Sequence, residues 1–194
     1  MADRIIENQT EDIPAMPEGL QRVLMEALEQ GKADLEGGYD IVPFTMLVAG
    51  GNLFTERHPG DTTEECYASA RHAVEGARGA LAYALCYDGY LDTDEGMKDA
   101  VIAEGGAPGA ETGYAIGYVY TVDGEGRPEF ASAPSYIGKA PNFMEGLKDE
   151  PAGEAEGDGG DDAEGVGADG AAEADSDAAE TDSDAAEAIG ADTN

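Results

Sequence analysis

The sequence holds no tryptophan, two cysteines, two histidines and only 10 lysines and arginines among 194 residues. Each shortage removes a class of function. Ten bases against 43 acids leave a formal net charge of −33, so no basic patch exists to neutralise phosphate. Direct contact with nucleic acid or with an anionic membrane is therefore not expected. Wholly apolar runs extend only a few residues, well short of the ~20 needed to span a bilayer. The opening stretch from Met1 to Asn8 has no apolar leader segment, and a cytoplasmic location is expected. Cys66 and Cys86 lack CxxC spacing and read as small buried apolar side chains rather than as a disulfide. Cys66 and His72 lie six apart on a predicted helix and so point to different faces, which argues against zinc. No nucleophile elbow and no Gly-Lys-Ser/Thr phosphate loop occurs. No catalytic residue and no cofactor is assigned, and the chain reads as a non-enzyme.

What is abundant is acid, and it is unevenly placed. Residues 151–194 carry 15 acids and no base, with 21 of 44 positions Ala or Gly. Such a segment cannot bury enough apolar surface to offset a backbone ordering cost of ~1–2 kcal/mol per residue. Residues 148–194 are therefore expected to be a disordered acidic tail. Its repeat, Asp175-Ser-Asp-Ala-Ala-Glu180 and again Asp182-Ser-Asp-Ala-Ala-Glu187, lacks the apolar positions of a coiled coil. Residues 1–16 are polar, carry Pro14 and read as a loose arm. A single domain is expected over residues 17–147.

Within it, Leu20, Val23, Leu24, Ala27, Leu28 and Leu35 fall at helical spacing after Pro17 and before Gly37-Gly38. Gly31 weakens the middle of that pattern. Residues 41–49 read as a strand with Pro43 near its start, Gly50-Gly51-Asn52 as a hairpin turn, and residues 53–57 as the returning strand. Thr62 and Glu65 have capping-box spacing for a second helix, expected to stop at Gly79. Residues 80–90 and 114–122 alternate as strands, residues 99–104 form a short one, and residues 127–137 a last one interrupted by Pro134. The order α-β-β-α-β-β-β-β, with hairpin-length links, predicts an α+β fold with an antiparallel sheet of about five strands. In element order it is similar to profilin-type and roadblock-type small domains, in which a five-stranded sheet carries helices on its faces.

Two clusters stand out as candidate sites. Asp88, Asp92, Asp94 and Asp99 are expected in an acid-rich loop between strands, where they suit a weak divalent-cation site; the spacing around Gly96 does not fit a calcium loop. Tyr83, Tyr87, Tyr90, Tyr114 and Tyr118 fall on predicted strands and, if gathered on one exposed face, suit a protein partner or a flat ligand. The sequence thus points to a binding or regulatory module with a protein partner, basic in charge. Alternatives are an acidic decoy of a nucleic-acid-binding protein, a small carboxylate enzyme or cation binder, and adaptation to a salt-rich cell interior. The oligomeric state is not specified.

Overall fold

The computed structural model describes residues 3–4, 13–93 and 95–147. The acidic tail and Asp94 lie outside these residues.

The first helix, α1 (Glu18–Glu36), starts after Pro17, which occupies the cap position one residue earlier than the sequence pattern placed it. It buries Leu20, Val23, Leu24, Ala27, Leu28 and Gly31, the stripe set by 3.6-residue periodicity. Gly31 has a packing reason. A Cβ there would lie 2.8 Å from Val101 Cγ1 and 2.9 Å from Cys86 Sγ, so glycine lets the helix settle onto the sheet.

In chain order the strands are β1 (Asp3–Arg4), β2 (Phe44–Ala49), β3 (Asn52–Arg57), β4 (Ala80–Thr93), β5 (Gly96–Gly106), β6 (Gly113–Val122), β7 (Pro128–Phe130) and β8 (Ser135–Ala140). The second helix, α2 (Thr63–Glu75), lies between β3 and β4. In space the strands run β3-β2-β4-β5-β6, with β7 and β8 pairing to opposite halves of β6. Every pairing is antiparallel except that of β1, which lies parallel to β4 at Tyr90 and Leu91. The fold is α+β, and its element order follows the sequence pattern.

Local chemistry accounts for most of the ends. Gly50 and Gly51 carry φ of 55° and 79°, the paired positive values of a two-residue hairpin turn. At α2 the Thr62 hydroxyl accepts the Glu65 N–H at 3.2 Å, while the Glu65 carboxylate accepts the Asp61 N–H at 2.9 Å. Three expectations are corrected. Helix α2 ends at Gly76, not Gly79, because Gly76 to Gly79 forms the reversal into β4, with Gly79 at φ 77°. The acid-rich stretch from Asp88 to Asp99 is not a loop. It is the β4–β5 hairpin, paired from Tyr83↔Gly106 to Thr93↔Gly96. The last predicted strand is two strands, separated around Pro134, which cannot donate to a ladder.

Two half-cores flank the sheet. On one face α1 packs over Phe44, Met46, Val48, Ala82, Ala84, Cys86, Val101 and Ala103. On the other, Ala70 and Val74 of α2 join Phe143 and Met144 over Tyr83, Leu85, Tyr87 and Ile102. Strand β4 is thus buried on both faces, small residues under α1 and large ones under α2.

Tyr83, fully buried, fastens the C-terminal segment. Its hydroxyl donates to Pro141 O at 3.1 Å and accepts the Phe143 N–H at 3.0 Å, and its ring stacks on Phe143 with centroids 5.3 Å apart. Tyr83→Phe keeps the ring and removes both bonds. Denaturant unfolding should show a loss of about 1–3 kcal/mol, the usual cost of stranding a buried donor; an unchanged midpoint would refute this role.

Candidate functional site

The chain entering β2, the turn entering α2 and the middle of β4 enclose a pocket of about 410 Å³. That size suits a small ligand or one long side chain. Its position follows from three local constraints. Pro43 O accepts the His58 N–H at 2.7 Å, which closes the base of the β2–β3 hairpin. Gly60 passes tightly over α2, where a Cβ would lie 3.0 Å from Cys66 Sγ. The cap at Thr62 then sets the direction of α2, so that Cys66 and Tyr67 face Leu85 and Tyr87 across the cavity.

The lining has two characters. Ile41, Pro43, Leu85, Tyr67 and Tyr87 supply apolar wall, and the acidic lining residues are Asp40, Asp61 and Asp88, the last with its carboxyl bonded to Tyr120 on the α1 side of the sheet. Among the described residues the lining contains no lysine or arginine. Asp40 and Asp61 are exposed and Asp88 is half-buried. Burial pushes the Asp88 carboxyl above the usual carboxylate range, and the charges of Asp99 and Asp40 push the same way. The Tyr120 hydroxyl, donating to Asp88 Oδ1 at 2.9 Å, opposes them in part. The Tyr120 phenol is in turn held well above its ordinary value by burial and by Asp88. A cation close to Asp88 would favour its charged form and so offset the burial that disfavours it.

The sequence-predicted acids are only partly gathered. Asp88 lines the pocket, and Asp99 lies near it on the same sheet face, opposite Tyr90 and Tyr120 in the ladders. Asp92 is exposed near the hairpin turn, and Asp94 lies outside the described residues. Among the described residues no group of three or more His, Cys, Asp or Glu side chains is arranged to hold a metal ion.

Nor do the tyrosines share a face. Tyr83 and Tyr87 belong to the α2 half-core, and the Tyr87 hydroxyl donates to the buried carboxylate of Glu104. Tyr118 is buried under α1, its hydroxyl bonded to Glu29 at 2.9 Å and its phenol pushed up to about 12 by burial and that bond. Tyr114 is half-buried against Tyr136, and Tyr90 is half-buried on β4. Of the five, Tyr87 reaches the pocket. Asp40, Asp61 and Tyr67 are not marked as site residues by any motif in the sequence, where Asp61 reads as a charge at the start of α2 and Tyr67 as part of its apolar face. The one available signal was the placement of Asp40 and Asp61 beside breaks, Gly37-Gly38 and His58-Pro59-Gly60, where chain ends converge on a strand.

Beside the pocket lies a polar clamp, buried at Thr45 and His58 and exposed at Ser69. His58 Nε2 is 2.9 Å from Thr45 Oγ1 and Nδ1 is 3.1 Å from the hydroxyl of Ser69, tying β2 to α2. A serine bonded to an oriented histidine is also the beginning of a nucleophile site. Here Ser69 sits within α2, where its N–H belongs to the helix ladder and offers no oxyanion donor. The arrangement is a structural tie. Both cysteines are free: Cys66 lines the pocket, and Cys86 lies beneath α1, where burial pushes its thiol far up and keeps it protonated.

Among the described residues no helix is long and apolar enough to cross a membrane. In comparisons with known proteins no family model matches the chain, and no curated protein or solved structure matches it.

Proposed function

We propose that the protein is a binding module that receives a cationic side chain of a basic protein partner in the pocket between β4 and the start of α2. The observation that carries this reading is the lining: three aspartates, Asp40, Asp61 and Asp88, beside an apolar wall, with no lysine or arginine among the described lining residues. A lysine or arginine side chain has the matching form, an apolar stem and a charged head. The net charge of −33 supports the same choice, since it steers basic partners toward the surface and repels acidic ones. In this reading Tyr87 and Tyr67 serve as wall for the stem, the share of the aromatic residues given to the partner.

The test is an NMR titration of the full chain with an acetylated, amidated Gly-Arg-Gly tripeptide, beside the citrulline peptide of nearly the same shape and no charge. The arginine peptide should shift amides of Asp61 to Tyr67 and of Tyr87 and Asp88, and the citrulline peptide should not. Replacing both Asp40 and Asp88 by Asn should weaken binding at least about tenfold, equal to about 1.4 kcal/mol. Glu111→Gln with Glu145→Gln removes the same charge at exposed positions away from the lining and should leave affinity unchanged. Equal weakening in both double variants would reduce the effect to the general field and defeat the proposal.

Asp88→Asn alone should also raise the melting temperature near neutral pH. The folded-state pKa of Asp88 lies above its unfolded value of 3.8, so this group's stabilising contribution is present below 3.8 and lost as pH rises through the folded value. Asparagine keeps an acceptor for Tyr120 and never carries the charge. Greater stability with weaker binding is the signature of a strained binding site.

A further inference from the structure

We infer that the outer edge of β3 is a second docking surface, one that takes an extended segment of a basic partner as an added antiparallel strand. This rests on different residues from the pocket and does not depend on it. Among the described residues, strand β3 ends the sheet and pairs only with β2. The His58 N–H bond to Pro43 O sets the phase of that ladder: Asn52, Phe54 and Glu56 turn their backbone groups toward β2, and Leu53, Thr55 and Arg57 turn theirs outward. Among the described residues no strand meets that outward row. Native edges are commonly blocked by a projecting cation, a proline or a bulge. Here β3 has no proline and pairs with β2 without a register shift. Its one cation, Arg57, is drawn aside, bonded to Asp34 of α1 at 3.0 Å and lying 5.6 Å from the centre of the Phe44 ring.

The choice of occupant follows from charge and from the side chains along the edge. Two copies of a chain of net charge −33 repel each other, whereas a basic strand is attracted. On the sheet face that carries α2, Phe54 is 54% exposed and Glu56 follows two residues later, exposed as well. An antiparallel strand meets Glu56 first and Phe54 second. The partner segment therefore reads, from its N-terminus, basic–any–apolar, with the basic residue opposite Glu56 and the apolar one beside Phe54.

The probe is a fluorescent ten-residue peptide of alternating threonine with lysine and valine, titrated into the full chain and followed by anisotropy and by amide exchange. Binding should slow exchange at Leu53, Thr55 and Arg57. Thr55→Pro removes an outward N–H at a position where an edge strand tolerates proline, and should weaken binding at least about tenfold with the fold retained. If that variant fails to fold, the peptide methylated on its edge-facing amides performs the same test on the natural chain, with its charge intact. Equal affinity for the methylated and unmethylated peptides, or unchanged exchange at the three amides, would overturn the inference. So would protection of those amides in the free protein together with a dimeric mass in sedimentation, which would make a second copy the occupant.

Discussion

Gly105→Ala should be the most damaging single-methyl change in the described domain. A Cβ at Gly105 would overlap the carbonyl oxygen of Tyr83 on the neighbouring strand and stand 3.0 Å from Leu24 Cδ2 of α1. The first collision is with backbone inside a paired ladder, so no rotamer change relieves it; β4 and β5 must separate where Ala84 and Gly105 are paired. Gly113 on β6 meets the Gly105 carbonyl in the same way, so three strands converge too closely for side chains at this point. Ordinary overpacking costs about 1–3 kcal/mol and yields by side-chain movement. A rigid clash belongs to the exceptional class, roughly 4 kcal/mol or more. For a domain of this size that corresponds to a fall in Tm of roughly 8–16 °C. Thermal unfolding followed by circular dichroism reads it directly, with Gly124→Ala, which has nothing within 4 Å of the added carbon, as the comparison. A Gly105→Ala protein melting within about 2 °C of the natural one would show that the sheet accommodates the methyl and that this account of its packing is wrong.

His58→Ala should be the next largest effect, and it comes with a pH signature. The ring is 1% exposed and Thr45 is fully buried, so truncation opens a cavity and leaves the Thr45 hydroxyl without its ring partner. The two effects together should cost about 2–4 kcal/mol in denaturant unfolding. In the natural chain burial holds the His58 imidazole below its ordinary value of 6.5, opposed in part by the charge of Glu56. The sign follows from linkage. On acidification the unfolded chain binds this proton first, so the contribution of the neutral ring is complete above pH 6.5 and is lost as pH falls below it. One proton limits the slope to about 1.4 kcal/mol per pH unit. His58→Gln, which retains hydrogen-bonding groups but does not titrate, should flatten stability between pH 6.5 and 5 relative to the natural chain. An unchanged slope would mean that some other group controls acid sensitivity in this window.

How much of this was legible in the sequence depends on the range of each interaction. The α1 stripe, the Thr62–Glu65 cap, the Gly50-Gly51 turn and the alternation through residues 80–90 are set by neighbours within a few positions, and all appear in the fold. For the hairpin from Ala80 to Gly106 the local pattern indicates a shorter strand, an acidic loop and a short second strand. Its acids sit at positions where ladder hydrogen bonds outweigh the low strand propensity of Asp. The tyrosine surface failed for a related reason. A period of two says that Tyr83, Leu85 and Tyr87 share a face, but not whether a helix covers it, and helices cover both. Nor does any local rule place Asp40 beside Asp88, 48 positions away, with Asp61 on the same pocket.

The scarcity of bases and the surplus of acid are properties of the composition, and by themselves they set the expectation that contact with phosphate is disfavoured and that a partner be sought among cations. Local spacing determined the elements and their order. The tertiary structure alone brought three of the acids, Asp40, Asp61 and Asp88, to one pocket. Burial depends on distance through space, and it raises the pKa of Asp88, while Asp40 and Asp61 join the same pocket as exposed residues. The tertiary structure also set β3 at one edge of the sheet and β7 and β8 at the other, because the pairings between them join distant parts of the chain.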